Sequence, residues 1–184
     1  MIVENIIGDF ETGRIRLTES CEMEVSQLQG ICDSWNEGDK LLLEGDCFEE
    51  DYIEKCLKNG DLPPMPTATI DKYSIKSIYT KEDNKLIGFY DMYHGYPNED
   101  TLYISMFLIS MEYQSKGYSS EVIEMLKQEA KKRHFKKIGL GVHLKNWKGL
   151  RFWFKNGFTQ INGIYGEKEY SADNFSFIGL ECSL

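Results

Sequence analysis

The chain has 184 residues, 41% hydrophobic and 13% aromatic, enough to bury one globular core and too apolar for a disordered chain. Its formal net charge of −9 argues against nucleic acid as a general partner. No apolar run nears the ~18 residues of a membrane span, and the opening MIVENIIGDFETG lacks a basic region followed by an apolar one, so neither membrane insertion nor export is expected.

RIRLTES (14–20) alternates like a strand. CEMEVSQLQGICDSW (21–35) carries Met23, Leu28, Ile31 and Trp35 at helical spacings, with Ser20 as the expected N-cap. EEDYIEKCLKNG (49–60) predicts a second short helix, acidic at its start and stopped by Gly60. DLPPMPTA holds three of the four prolines and predicts an extended connection. Three strand-like runs follow at 73–80, 85–95 and 101–110; KEDNK and YPNED separate them, which predicts antiparallel hairpins.

Val122, Met125, Leu126 and Ala130 form one apolar stripe on a helix reaching His134. KKIGLGVHL (136–144) predicts a strand, and WKGLRFWFKNG (147–157) a short helix ended by Gly157. FTQINGIYGEKEY and FSFIGLECSL predict a final hairpin. The order implies an α/β chain of α+β type. Its sheet is mixed and mainly antiparallel, with helices on both faces and one parallel pair, strands 101–110 and 136–144. A single domain is expected over 1–184, with 1–13 as an N-terminal extension.

The charge is unevenly spread. Residues 1–60 carry 15 Asp/Glu against 5 Lys/Arg, a net of −10, and residues 116–155 carry 11 Lys/Arg against 3 Asp/Glu, a net of +8. Solvated helix faces explain the split, and so does a basic segment that meets a polyanionic ligand while the acidic segment attracts a cation. The five cysteines, an odd number without CxxC spacing, read as free thiols in a reducing cytosol. His94, His134 and His143 lie far apart and share no ligand spacing with a cysteine, so no metal is expected.

YQSKGYSS (113–120) stands between strand 101–110 and the next helix. The first turn of a helix leaves backbone N–H groups unpaired, and its dipole adds about half a positive charge. Gly117 allows a phosphate to come close, Ser119 and Ser120 are small donors, and Lys116 adds a full charge. The P-loop pattern GxxxxGK[ST] and the dinucleotide pattern GxGxxG are both absent. An ordinary glycine-containing turn with a serine N-cap accounts for the stretch as well.

NWKGLRFWFKNGF, Asn146 to Phe158, follows the next strand directly. Together the two segments resemble the GNAT superfamily of acyl-CoA-dependent N-acetyltransferases. Gln114, Gly117 and Ser119 occupy the three positions of its Gln/Arg-x-x-Gly-x-Gly/Ala signature, with serine as the small third residue. Asn146, Gly149 (where Ala is usual), Phe152, Trp153, Lys155, Gly157 and Phe158 stand in register with its later signature. The signatures cover 108–158, and the order of elements extends the resemblance over 14–184.

The resemblance implies acetyl-CoA as the acyl donor and a splay between strands 101–110 and 136–144. Pantetheine would pair with backbone groups near Leu108, Ile109 and Met111. The pyrophosphate would sit on the amides of Gln114, Ser115, Lys116, Gly117, Tyr118 and Ser119, with Asn146, Phe152 and Trp153 completing the cofactor site. A bulge in the first strand would carry the carbonyl-polarising amide, near Ile109. Trp153 stands where the family usually has an acidic tyrosine. An indole donates a hydrogen bond but releases no proton at physiological pH. A thiol with a pKa of about 8.5 still leaves tolerably as thiolate.

Candidates for proton handling are Tyr103 and Ser105 on strand 101–110, together with His143 and His94; either histidine reads equally as structural. Glu37, Asp39, Glu44 and Asp46 fall where the family covers its acceptor site, and they suit a cationic amine or a solvated loop. Trp35, Tyr90, Tyr93 and Tyr96 suit a pocket wall or core packing. The expected activity is acetyl transfer to a small primary amine by direct attack in a ternary complex, in a cytoplasmic monomer or homodimer. Peptide or protein N-acetylation and a non-catalytic CoA-binding module are the alternatives.

Overall fold

The computed structural model of the chain describes residues 6–38 and 48–184. Two short strands, β1 (Phe10–Glu11) and β2 (Ile15–Glu19), precede helices α1 (Val25–Gly38) and α2 (Tyr52–Asn59). The three central strands are β3 (Tyr73–Thr80), β4 (Leu86–His94) and β5 (Thr101–Ile109). Helix α3 (Tyr118–Lys132) leads to β6 (Lys137–His143), then α4 (Trp147–Lys155), β7 (Gln160–Gly166) and β8 (Ser176–Ser183). The strands form one eight-stranded sheet in the order β1-β2-β3-β4-β5-β6-β8-β7. Among the described residues only β5 and β6 are parallel, as a helical crossover between neighbours requires. The fold class and the order of elements agree with the sequence reading.

Alternation along the strands divides the core in two. On one face Leu102, Ile104, Ile138 and Leu140 pack against Val122, Ile123, Leu126 and Ala130 of α3 and Trp153 of α4. On the other, Ile75, Phe89 and Leu108 pack against Leu28, Ile31 and Cys32 of α1 and Ile53 and Cys56 of α2. Each such aliphatic side chain contributes about 1.5–3 kcal/mol through burial. Gly60 and Gly157 follow α2 and α4 at positive φ, as their expected stopping roles require. Among the described residues no helix is long and apolar enough to cross a membrane.

Three local features differ from expectation. Ser20 does not cap a helix; its hydroxyl hydrogen-bonds Ser77 Oγ at 2.8 Å across the β2–β3 pair. The helical segment opens instead with a 3-10 turn at Glu22–Glu24, where the Cys21 N–H donates to the Glu24 carboxylate at 2.7 Å. Met23 lies in that turn and is 89% exposed, off the apolar stripe. Residues 6–13 are tied into the sheet: β1 pairs with β2, Ile7 is buried, and the Ile7 N–H donates to His94 Nε2 at 3.0 Å. Asp9 of this segment joins Glu19 in neutralising the buried Lys76, at 3.1 and 2.7 Å.

Candidate active site

Strands β5 and β6 pair only from Thr101↔Lys137 to Ile104↔Leu140, and beyond that point their facing edges part. The cause lies on the other side of β5. Met92 faces Ile104 and Tyr90 faces Phe107, so Ser105 and Met106 together oppose the single residue Asp91. An extra residue of this kind bends its strand and increases the local twist. Asp91 is fully buried and accepts the Met106 N–H at 2.6 Å and the Tyr73 O–H at 2.8 Å. Burial lifts its carboxyl to about 7, against the opposing hydrogen bonds from Tyr73 and the bulge amides.

The bulge therefore lies at Ser105–Met106, not near Ile109. Past it, the Ser110 N–H donates to the Ile87 carbonyl at 2.8 Å. Antiparallel alternation then turns the polar backbone groups of Leu108 and Ser110 toward β4, and those of Phe107 and Ile109 toward the opened β6 edge. Leu108 thus lines the cleft with its backbone groups turned to β4, whereas those of Ile109 face the opened edge. Its carbonyl already accepts Gln114 Nε2 at 3.1 Å. Met111 starts a 3-10 turn, Met111–Tyr113, and is half exposed.

The loop reaches α3 through Ser115 at φ 60° and Gly117 at φ 87°, the residue that precedes the helix. The N–H groups of Ser115, Lys116, Gly117, Tyr118, Ser119 and Ser120 donate to no acceptor among the described residues. Arg14 approaches from the β2 side. It donates to the Lys116 carbonyl at 3.1 Å, pairs with Glu121 at 2.7 Å and lies 4.6 Å from the Tyr118 ring centroid. A Cβ at Gly117 would stand 3.3 Å from Arg14 Nη2. Unpaired amides at a helix start, with Lys116 and Arg14 beside them, fit a pyrophosphate. Gln114 instead uses its side chain to hold the end of β5.

A cavity of about 430 Å³ fills the splay. Ser105 and Phe107 line it from β5, Val142 and His143 from β6, and Trp153 and Trp35 from the two helical layers. Trp153 meets Phe107 at 5.8 Å, Phe152 at 4.9 Å and Phe158 at 4.9 Å, all edge-on. Phe152 stacks on Phe107 at 6.0 Å. Asn146 also lines the cavity and caps α4, accepting the Gly149 N–H at 2.7 Å. A Cβ on Gly149 would come within 2.6 Å of the Asn146 amide, which explains glycine where alanine is usual.

A second cavity, about 390 Å³, adjoins the first and shares Ser105 and Leu140 with it. Tyr103 lines this second space and lies over the β6 glycines; a Cβ on Gly139 or Gly141 would stand 3.5 or 3.4 Å from its ring or hydroxyl. Burial pushes the Tyr103 phenol up to about 12, so it stays protonated and is no base near neutrality.

His94 is brought to neither cavity. It is buried, its Nε2 accepts the Ile7 N–H, and its Nδ1 donates to the Lys72 carbonyl at 2.8 Å. Burial drops its pKa to about 4, so the ring is neutral. Tyr90 and Tyr93 are core residues, whereas Trp35 and Tyr96 line the first and second cavities respectively. The Glu37 side chain and all of Asp39, Glu44 and Asp46 lie outside the described residues. The sequence reading missed Asp91 and Arg14. A lone carboxylate inside the apolar run GFYDMY was the available signal for Asp91; nothing local marks Arg14.

A family model, the acetyltransferase (GNAT) family, matches residues 43–158. No curated protein sequence matches the chain. Among solved structures, it is similar to a probable acetyltransferase (GNAT family) from Chromobacterium violaceum, with a TM-score of 0.74 at 12% identity, covering 97% of this chain and 87% of that one. An acetyltransferase (GNAT family) from Bacillus anthracis matches with a TM-score of 0.70 at 18% identity, over 95% and 98% of the two chains. A Bacillus subtilis acetyltransferase in complex with CoA matches with a TM-score of 0.58 at 18% identity, over 93% and 98%. These identities speak for the fold; the family model spans more than half of the sequence, and the chain belongs to the acetyltransferase (GNAT) family.

Proposed function

We propose that the protein transfers an acetyl group from acetyl-CoA to a small primary amine, which attacks the thioester directly while both substrates are bound. The observation that carries this reading is the opened β5–β6 edge. It ends at the unpaired amides of Ser115 to Ser120 and begins at a cavity that a second space enters at Ser105. When bound, the cofactor supplies an activated acetyl group and a thiolate leaving group.

The chain's own groups do the rest. The N–H groups of Phe107 and Ile109, turned toward β6, pair with pantetheine and polarise the thioester carbonyl. The Ser115–Ser119 amides, with Lys116 and Arg14, hold the pyrophosphate. His143, on the wall of the first cavity, takes the proton of the amine directly or through water. Tyr103 holds its own proton and orients the acceptor by hydrogen bonding. Trp153, packed edge-on against Phe107, Phe152 and Phe158, would keep water from the thioester. Holding both substrates side by side is worth effective molarities of order 10⁵–10⁸ M in well-aligned systems.

A cytosolic setting suits the free thiols Cys21, Cys32, Cys56 and Cys182. The test is a thiol-release assay with acetyl-CoA over free amines, run beside a thermal-shift measurement. Stabilisation by acetyl-CoA and turnover of free amines are expected. Stabilisation without release for any amine would instead mark a CoA-binding module, a reading that the replacement of the usual tyrosine by Trp153 favours. Preference for peptides would mark a protein acetyltransferase.

A further inference from the structure

The second cavity has a one-sided chemistry. Tyr96 and Tyr103 meet edge-on at 5.0 Å on one side, and Tyr165 stacks on Phe177 at 5.2 Å on another. Asp61, just past the end of α2, is the one charged side chain on its wall among the described residues; no Lys, Arg or His lines it. Among those residues Asp61 has no ion-pair or hydrogen-bond partner. Asp61 is solvent-exposed at the cavity mouth, and partial loss of water holds its carboxyl above the usual range. Its field raises Asp91 and Tyr103, among other acidic groups of the same sheet face. The cavity thus offers an unneutralised carboxylate among aromatic rings, beside the point where it joins the β5–β6 splay at Ser105.

We propose that this cavity is the acceptor site and that its ligand is a short organic dication. One amine of the ligand is presented at Ser105 for reaction, and a second, protonated amine is held between Asp61 and the rings of Tyr96, Tyr103 and Tyr165. The proposal rests on the transferase reading above and deepens it. A distal ammonium gains a carboxylate and ring faces that attract cations. A distal carboxylate or phosphate in the same place meets Asp61 and finds no cation among the described residues. Amino acids and phosphorylated amines are therefore disfavoured acceptors. Asn162 lines the same wall; its Nδ2 donates to Glu181 at 3.2 Å and its Oδ1 accepts the Tyr165 hydroxyl at 3.3 Å, which ties that ring to the wall.

The experiment uses the full chain and three probes that differ only at the far end: 1,4-diaminobutane, butylamine and 4-aminobutanoate. Thiol release is measured at saturating acetyl-CoA, and calorimetry with the CoA-saturated protein measures diamine binding without turnover. The expected order of kcat/KM is diamine, monoamine, amino acid, with about tenfold or more between the first and last. Asp61→Asn is expected to bring the diamine-to-butylamine ratio close to one and to weaken diamine binding about tenfold.

Should Asp61→Asn not fold, Tyr165→Leu serves, since Tyr165 is 46% exposed and its ring is expected to matter only to KM for the diamine. Equal or better turnover of 4-aminobutanoate, or of a lysine peptide over the diamine, overturns the proposal while leaving the transferase reading standing. Diamine binding that depends on Asp61, without turnover of any amine, sustains the cation site and overturns the transferase reading. Absence of both diamine binding and turnover overturns the two together.

Discussion

Asp91 accepts the Met106 N–H at 2.6 Å at the one position where two residues of β5 oppose a single residue of β4. Through the Tyr73 hydroxyl at 2.8 Å the same carboxyl also ties the bulge to β3. The parting of β5 from β6, and with it the cleft, starts at this point.

Replacing Asp91 by Leu removes the acceptor for both donors and is expected to cost roughly 2–4 kcal/mol in denaturant unfolding. Asp91→Asn keeps one carbonyl oxygen and costs less. Because burial lifts the folded carboxyl to about 7, above the ~3.9 of an unfolded Asp, the folded chain holds this proton more tightly. The group's contribution to stability is largest below pH ~4 and is lost as pH rises toward 7. Unfolding curves from pH 4 to 8 should show a shallower decline on this side for Asp91→Asn than for the parent chain.

The opposite slope belongs to His94. Its folded pKa of about 4 lies below the ~6.5 of an unfolded histidine, so its contribution is complete above pH ~6.5 and is lost as pH falls toward 4. His94→Ala frees the Ile7 N–H and the Lys72 carbonyl and is expected to cost about 1–3 kcal/mol at pH 7. Its kcat should stay within about twofold of the parent, since hydrogen bonding fixes the ring away from both cavities. A hundredfold loss of kcat in a folded variant would restore it as a base.

Gly117 combines a left-handed φ of 87° with a close approach to Arg14. Gly117→Ala is expected to cost about 1 kcal/mol from backbone strain. Gly117→Glu also places an anion among the phosphate-facing amides, and the thermal shift with acetyl-CoA should disappear. A shift of parental size in a folded Gly117→Glu chain would move the pyrophosphate elsewhere.

His143 and Trp153 share one cavity and are expected to respond differently. His143→Gln should lower kcat about 100-fold or more while the acetyl-CoA thermal shift is retained, the pattern of a lost proton acceptor. Trp153→Phe should change kcat by less than about threefold, because phenylalanine keeps the packing against Phe107, Phe152 and Phe158. A large loss in Trp153→Phe at unchanged acetyl-CoA affinity would assign the indole N–H a direct part.

Local chemistry made much of this protein legible in its sequence. Strand-like runs between short polar turns marked β3, β4 and β5, and the helical stripe from Val122 to Ala130 marked α3, because side-chain period and turn chemistry act over a few residues. Gly117 with Ser119, and Asn146 with Gly157, announced the family for the same reason: a loop that must present its amides needs particular residues side by side.

Tertiary structure decided the rest, where the partners are far apart in the chain. The Asp91–Met106 bond depends on the exact strand register, and a one-residue shift changes every facing pair. Ile7 meets His94 across 87 positions, which turned a supposed extension into part of the sheet. Arg14 reaches Gly117 only because β2 begins beside the start of α3. The second cavity assembles Asp61, Tyr96, Tyr103 and Tyr165 from four separate segments. Short-range preferences selected the elements and the cofactor loop, whereas register and long-range packing built the cleft and the acceptor wall.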